Sequence, residues 1–263
     1  MLAPDRFRGY PSRVRLFSDA LPLDASLIAA EFGCGPAFIA EALSPKVRRL
    51  VGFEIGSKTV AALEQLALPS NLDVVAMDLC RTDLLAGFGG AFDLVYSADT
   101  LEHVADPAAF FASLTAVLKR GATAVVLFPN EPEGARHGVT TFAAGADLLD
   151  AIGEDLTLAR ASSLVRTGWA DWLQEWGWRR PLRLAKRRAG LEPSTDKPQT
   201  FDETVAGMYG FERRRVYAFA NAWGRMLVAL SGKRAGWRFE PLEVLPDTGL
   251  VGRYLWLELT RSG

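Results

Sequence analysis

The chain has 263 residues, of which 49% are apolar and 23% are charged, with a formal net charge of −1. These values are ordinary for a soluble globular protein, and the length allows one substantial core or one core with a cap. The near-neutral charge does not discriminate among charged partners, and the absence of a basic excess argues against a nucleic-acid substrate. The two cysteines, Cys34 and Cys80, and the two histidines do not form a disulfide framework or a metal-ligand spacing. We therefore expect no metal.

The amino end carries charges and aromatic residues but no targeting signal. No apolar run approaches the roughly 18 residues of a membrane span, and the first ten residues are not followed by the apolar core of a signal peptide. We therefore expect a cytoplasmic location. Residues 1–25 mix arginines such as Arg13 with the aromatic residues Tyr10 and Phe17. They form either an entry helix or arm over a ligand cleft, or a solvated arm with a few anchoring aromatic side chains.

The first strong pattern is a glycine loop within the stretch Ser26 to Ile55. The apolar run Leu27 to Ala30 predicts a buried strand, and Ala37 to Leu43 predict a helix that returns along the sheet. Between them, Gly33 and Gly35 predict a tight turn, because glycine adopts backbone angles that a Cβ disfavours. Glycine also lets a ligand approach the main chain closely. The pattern is typical of a strand, loop and helix unit that binds a nucleotide cofactor.

Details of this unit distinguish between two nucleotide cofactors. A dinucleotide-binding loop has a third glycine, and here that position is Phe38. Glu31 precedes the loop, where it would repel a pyrophosphate but favour a ligand with an ammonium and a sulfonium. The second predicted strand, Arg49 to Phe53, ends in another acid, Glu54. Together these residues resemble motif I and the second-strand acid of class I S-adenosylmethionine-dependent methyltransferases.

Strands and helices continue to alternate after this unit. Helical spacing predicts helices over Ser57 to Ala67 and Ala143 to Ile152. Asp106 and Pro107 are typical of a helix start, and Gly121 of the end of that helix. The further predicted strands are Leu72 to Met77, Phe92 to Tyr96, Thr123 to Phe128, Leu156 to Val165, Glu240 to Val244 and Tyr254 to Thr260.

The alternation of strands and helices predicts an α/β fold with a doubly wound, mostly parallel Rossmann-like sheet. The resemblance implies seven strands, with Tyr254 to Thr260 as the antiparallel closing strand and a helical insertion before it. The expected segments are an arm or cap (1–25), an S-adenosylmethionine-binding domain (26–165), a helical insertion (166–235) and closing strands (236–263).

The resemblance extends over residues 26–130. Its fourth-strand signature is Phe92-Asp93-Leu94-Val95 followed by Leu101-Glu102-His103-Val104. It implies an S-adenosylmethionine site across the carboxyl ends of the strands. The implied contacts are to the methionine part (Glu31, Gly33, Cys34, Gly35, Ser97 and Ala98), the ribose hydroxyls (Glu54), adenine (Asp78 and Leu79) and the cofactor in general (Ile55).

Methyl transfer needs no nucleophilic side chain, because the acceptor attacks the sulfonium methyl directly. An oxygen acceptor usually also needs a base, for which His137 and His103 are the candidates; each has a structural role as its alternative. Asp99 and Glu102 are further candidates. We expect a methyltransferase acting on a small-molecule acceptor, most often at oxygen. The alternatives are a non-catalytic or regulatory S-adenosylmethionine-binding protein, and an N- or C-methyltransferase acting on a lipid-like or quinone-like acceptor.

A segment rich in tryptophan and arginine lies within the predicted insertion. Residues 166–188 contain four tryptophans, including Trp169 and Trp172, and seven basic residues against two acids. One interpretation is a helix whose aromatic stripe packs on the sheet domain. The others are a lid in which Trp169 and Trp172, with Tyr10, contact the acceptor, and a membrane-surface contact through residues 169–188.

Overall fold

The computed structural model describes residues 11–132, 139–166 and 237–263. The candidate residues Tyr10, His137, Trp169 and Trp172 lie outside the described residues, as does nearly all of the predicted insertion. In chain order the elements are α1 (Pro11–Ala20), β1 (Ile28–Phe32), α2 (Phe38–Leu43), β2 (Arg49–Glu54), α3 (Ser57–Glu64), β3 (Leu72–Ala76), β4 (Phe92–Ala98), α4 (Pro107–Val117), β5 (Leu118–Pro129), α5 (Gly145–Ile152), β6 (Leu156–Arg166), β7 (Trp237–Leu242) and β8 (Tyr254–Arg261).

The strands form one sheet in the order β3-β2-β1-β4-β5-β8-β6-β7. Strands β1 to β5 are parallel, and β8 lies antiparallel between β5 and β6. This arrangement confirms the doubly wound, mostly parallel sheet and its antiparallel closing strand. The described residues form eight strands, one more than the seven that the resemblance implies. The additional strand is β7, predicted as Glu240 to Val244, which pairs antiparallel with β6 at the edge of the sheet. The Phe239 ring of β7 packs edge-on against Trp256 of β8, with centroids 5.2 Å apart, which favours this pairing.

Both faces of the sheet are covered, as expected for buried parallel strands with long apolar runs. On one face, Phe32 packs edge-on against Phe53 and Phe110, with ring centroids 5.5 and 5.8 Å apart. On the other face, Phe17 of α1 packs between Tyr96 and Trp256. Helix α4 therefore covers the first face, while α1 joins α2 on the second. Within the described residues, no helix is long and apolar enough to cross a membrane.

The junction between α4 and β5 differs from the sequence prediction. The helix ends at Val117, and β5 begins at Leu118, whereas the sequence predicted that the helix continues to Gly121. Leu118 pairs with Phe92 of β4, and the Lys119 ammonium lies 2.6 Å from the Asp93 carboxylate. These contacts with the neighbouring strand extend β5 toward its amino end. Gly121, with φ of 74°, therefore lies inside the strand.

The amino-terminal cap of α4 is the one that the sequence predicts. The Asp106 side chain accepts a hydrogen bond from the amide of Ala109 at 3.0 Å. Pro107 occupies the first turn of the helix, where its missing N–H costs nothing. The cap fixes where the chain leaves the carboxyl end of β4 and enters the helix.

Replacing Asp106 with alanine is expected to lower the free energy of unfolding by about 1 kcal/mol, because the Ala109 amide loses its acceptor. Urea denaturation followed by circular dichroism measures this loss. Asp150→Ala, at an exposed position of α5, is the matched control and should stay within about 0.5 kcal/mol of the parent. Equal values for the two variants would show that the cap contributes nothing.

Candidate active site

The glycine loop joins β1 to α2 at the carboxyl edge of the sheet. Gly33 and Gly35 have φ angles of 72° and 49°, in the left-handed region that favours glycine. The amides of Gly33 and Cys34 both donate to the carbonyl oxygen of Phe53 at 2.9 Å. The loop is therefore tied to the end of β2, beside Glu54.

Glu54 binds the glycine loop through its carboxylate. The side chain is buried; Oε2 accepts from the amide of Gly35 at 2.9 Å, and Oε1 accepts from the amide of Gly56 at 2.8 Å. Sequence reasoning did not assign this role to Glu54. Each carboxylate oxygen has two acceptor positions, so one remains on each for the hydroxyl groups of a ligand. The predicted contact with a ribose is therefore compatible with the observed geometry.

Glu31, the other acid of the cofactor motif, is buried at the end of β1. Its Oε2 accepts from the Tyr96 hydroxyl at 3.2 Å, and the amide of Ala40 donates to the same carboxylate. Ala40 is the third residue of α2, and the residue before that helix, Ala37, has no polar side chain. Glu31 therefore caps the helix. Burial raises the pKa of Glu31 to about 8, an effect that its hydrogen bonds oppose.

Thr100, which sequence reasoning did not single out, lies directly against the glycine loop. Its Oγ1 is 3.3 Å from the carbonyl oxygen of Phe32 and 3.4 Å from that of Gly33. A Cβ on Gly33 would lie 2.2 Å from this Oγ1, far inside van der Waals contact. Gly33 is therefore required both by its backbone angle and by the space that Thr100 occupies.

The residues predicted to bind adenine, Asp78 and Leu79, follow β3, next to the end of β2 and the general cofactor residue Ile55. The amide of Met77 donates to the Glu54 carbonyl at 2.8 Å, which holds the two strand ends side by side. Ile55 is 68% exposed, and Leu79 is buried. The Asp78 side chain is half-buried, and its Oδ1 accepts from the amide of Cys80 at 2.9 Å. An exposed apolar side chain near a carboxylate suits a flat ring that carries an amino group.

Ser97 and Cys34 have structural contacts in addition to their predicted place at the methionine part. The Ser97 hydroxyl is buried and donates to the carbonyl oxygen of Phe32 at 2.9 Å. Its neighbour Ala98 is half-buried. The Cys34 sulfur packs against Gly52, where a Cβ would lie 2.7 Å away. Burial raises the pKa of the Cys34 thiol well above its ordinary value, so the thiol stays protonated and is not a nucleophile.

Glu102 and His103 follow β4 in a short 3-10 turn. Glu102 is buried, and its Oε2 has no hydrogen-bond partner within the part of the chain that the structure describes. Burial and the nearby Asp99 carboxylate raise the pKa of Glu102 to about 8. The His103 imidazole is half-exposed, with Nε2 3.8 Å from Glu102 Oε1. A partly exposed imidazole next to a carboxyl group can accept a proton and exchange it with solvent.

Two features of this edge fit the cofactor that the resemblance implies. Glu54 has spare acceptor positions, and Ile55 offers an exposed apolar surface. In contrast, none of the His, Cys, Asp and Glu side chains in residues 11–132, 139–166 and 237–263 are grouped in threes in a way that could hold a metal ion.

Residues 30–126 match the family model described as a methyltransferase domain. This match and the order of the strands support the resemblance to class I S-adenosylmethionine-dependent methyltransferases. The matched segment begins inside β1 and ends inside β5, so it contains the glycine loop, Glu54 and the 3-10 turn after β4. The family match therefore falls on the part of the sheet that carries the candidate site.

Individual relatives resemble parts of the chain. The ubiquinone biosynthesis O-methyltransferase of Methylococcus capsulatus is 30% identical over 95 residues, which are 36% of this chain and 40% of that protein. The chain spans about 40% of the length of the first curated relatives that it matches.

Solved structures resemble the chain over most of its length. A geranyl diphosphate C-methyltransferase from Streptomyces coelicolor, solved with S-adenosyl-L-homocysteine, is 12% identical and has a TM-score of 0.50, covering 94% of this chain and 76% of that one. The [4+2]-cyclase SpnF is 14% identical with a TM-score of 0.54, covering 95% and 79%. At these identities the likeness shows the fold alone.

Gly33→Ala tests the contact between the glycine loop and Thr100. A left-handed alanine costs about 1–2 kcal/mol, and at Gly33 the overlap with Thr100 adds to that cost. Gly121→Ala is the matched control, because Gly121 has φ of 74° and a methyl group added there would have no described atom within 4 Å. We expect urea denaturation to show a larger loss of unfolding free energy for Gly33→Ala. Equal losses would contradict the packing of Thr100 on this loop.

Glu102→Gln tests the effect of a buried carboxyl group on stability. The pKa of Glu102 rises from 4.5 to about 8 in the folded protein, so between these values the folded state retains a proton that the unfolded chain has lost. Glu102 alone should therefore make the free energy of unfolding fall as pH rises through this window, by up to about 1.4 kcal/mol per pH unit. Glutamine at this position should weaken that fall, as measured by urea denaturation from pH 5 to pH 8.

The control for this experiment is Glu64→Gln, at an exposed position near the end of α3. It should leave the pH dependence of stability as it is in the parent. If Glu102→Gln also leaves the dependence unchanged, Glu102 is ionised in the folded protein and its assigned pKa is wrong.

Proposed function

We propose that this chain is an S-adenosylmethionine-dependent methyltransferase that methylates an oxygen atom of a small-molecule acceptor. The observation that carries the proposal is the glycine loop held by the buried Glu54 carboxylate, within the residues that match a methyltransferase domain. Methylation at oxygen is supported by the name of the Methylococcus capsulatus relative, which matches this chain at 30% identity over part of its length.

The proposed cofactor contacts follow the geometry of the strand ends. Glu54 would accept hydrogen bonds from both ribose hydroxyls with its spare acceptor positions, each charge-assisted and about 1.5–3 kcal/mol in strength. The backbone between Gly33 and Gly35 would pass around the methionine part. Ile55 would lie against the adenine ring, with the Asp78 carboxylate accepting from its amino group.

When bound, S-adenosylmethionine supplies a methyl group on a positively charged sulfur. The protein's part is to hold the acceptor in line with that methyl group and to exclude water. A hydroxyl acceptor must also lose its proton, and His103 is the candidate base with a described position, beside Glu102 at the end of β4. His137 remains a proposed base on sequence grounds.

The acceptor would be recognised by parts of the chain outside the sheet, because the strand ends are committed to the cofactor. The predicted insertion, 166–235, is the largest such part, and we propose Trp169, Trp172 and Tyr10 as acceptor contacts. Contact of residues 169–188 with a membrane surface, the absence of a nucleic-acid partner and a cytoplasmic location remain predictions from the sequence.

The second candidate function is binding of the cofactor without transfer of its methyl group. It is favoured by one observation: the SpnF structure, which is named as a [4+2]-cyclase, has the same fold as this chain. An assay of methyl transfer from labelled S-adenosylmethionine to a panel of hydroxylated small molecules separates the two candidates. Cofactor binding without transfer to any acceptor in the panel would support the second.

Glu54→Gln tests the cofactor site. Glutamine keeps the size of the side chain but replaces one acceptor oxygen with an NH2 group that only donates, so one loop amide and one ribose hydroxyl lose their acceptor. The affinity for S-adenosylmethionine should fall about tenfold or more. Alanine at this position would leave the amides of both Gly35 and Gly56 without acceptors, at about 1–3 kcal/mol each in stability.

Isothermal calorimetry measures the affinity of this variant, and circular dichroism verifies its fold. Glu64→Gln is the matched control and should bind the cofactor as the parent does. An unchanged affinity in a folded Glu54→Gln protein would mean that the acid of the second strand does not bind the ribose.

A further inference from the structure

Helix α1 contacts the candidate site through one of its faces. Arg13 and Phe17 are four residues apart, so they project from the same face of the helix. Phe17 is fully buried, with its ring centroid 5.4 Å from Tyr96 and 5.2 Å from Trp256. Tyr96 is the residue whose hydroxyl binds Glu31. The helix therefore packs directly behind an acid of the cofactor motif.

Arg13 makes the polar contacts of this face. Its Nε and Nη2 donate to the two carboxylate oxygens of Asp99 at 3.1 and 3.2 Å. Nη2 also donates to the hydroxyl of Tyr254, and the guanidinium carbon lies 4.5 Å from the centre of the Tyr254 ring. The Arg13 side chain is only 8% exposed. Lysine could not reproduce this arrangement, because it lacks the planar fork and stacks less well on a ring.

The backbone of Asp99 is in an uncommon conformation, which its contacts stabilise. Its φ angle is 54°, in the left-handed region, which aspartate adopts more readily than most residues other than glycine. Its amide donates to the Leu127 carbonyl at 2.9 Å, and its carboxylate is held by Arg13. The next residue is Thr100, which lies against Gly33. The conformation at Asp99 thus decides where Thr100 meets the glycine loop.

We infer that Arg13 is a positioning residue, through which helix α1 holds Asp99 and Thr100 against the glycine loop. The methionine end of the cofactor site is therefore completed by this helix, which lies outside the matched methyltransferase domain. This inference rests on the proposed function, because it assumes that the loop binds the methionine part of S-adenosylmethionine. The adenosine end, at Glu54 and Ile55, does not depend on Arg13.

Two ligands allow the methionine end and the adenosine end of the site to be tested separately. S-adenosylhomocysteine carries both the adenosine and the amino-acid part, whereas 5′-methylthioadenosine lacks the amino-acid part. In the full chain, Arg13→Gln should weaken the binding of S-adenosylhomocysteine about tenfold, because Asp99 loses the two charge-assisted hydrogen bonds that the Arg13 guanidinium donates. The affinity for 5′-methylthioadenosine should stay within about twofold of the parent. Calorimetry measures both affinities.

A second variant and a rescue keep the test independent of overall folding. Arg13→Lys keeps the positive charge, but it should still lower the affinity for S-adenosylhomocysteine about fivefold. Arg13→Gln combined with Asp99→Asn pairs two neutral amides and should restore part of the affinity that Arg13→Gln loses. Arg15→Ala is the control: Arg15 belongs to the same helix but forms an exposed ion pair with Asp19. It should leave both affinities unchanged.

The outcomes distinguish the inference from the function on which it rests. If the parent binds neither ligand, the proposed function falls and the inference falls with it. If the parent binds both, and Arg13→Lys binds S-adenosylhomocysteine within twofold of the parent, Arg13 has no positioning role and the inference is overturned. A parallel loss for both ligands, in proportion to a lower melting temperature, also overturns it, because a purely structural role would produce that result.

Discussion

The site depends on one buried carboxylate that accepts hydrogen bonds from two loops. Glu54 binds the amide of Gly35 in the loop after β1 and the amide of Gly56 in the connection after β2. A buried carboxylate is costly unless it is paired, and a buried amide is costly without an acceptor, so neither loop can shift without a loss of free energy. The glycine loop is consequently preorganised for its ligand, and less ordering is needed when the ligand binds.

The fold was predictable because its signals are local. Apolar runs gave the strands, and Asp106 with Pro107 gave the start of α4. The errors came where a neighbouring strand decided the outcome. The predicted start of β5 was wrong because Leu118 pairs with Phe92 of the neighbouring strand. The strand at β7 was predicted as Glu240 to Val244, but its place beside β6 was not, since pairing depends on elements distant in the sequence.

The site was predictable in its acids but not in their partners. Glu31 and Glu54 follow apolar runs, so their place at the strand ends could be inferred from position alone. Tyr96 is 65 residues from Glu31, and Arg13 is 86 residues from Asp99. These contacts follow from strand order and from the docking of α1. The sequence also did not predict that Glu31 caps α2, because a capping side chain is normally the residue just before the helix.

The pairing of β6 with β7 has a consequence for how this chain could have diversified. Arg166, the last residue of β6, lies directly opposite Trp237, the first residue of β7. Opposed residues in antiparallel strands are separated by only about 4.5–5.5 Å. The 70 residues numbered 167–236 therefore leave and re-enter the sheet at a single point. A segment with adjacent ends can be exchanged or shortened to a hairpin turn without altering the strands that carry it, so the proposed acceptor contacts could change during evolution separately from the cofactor site.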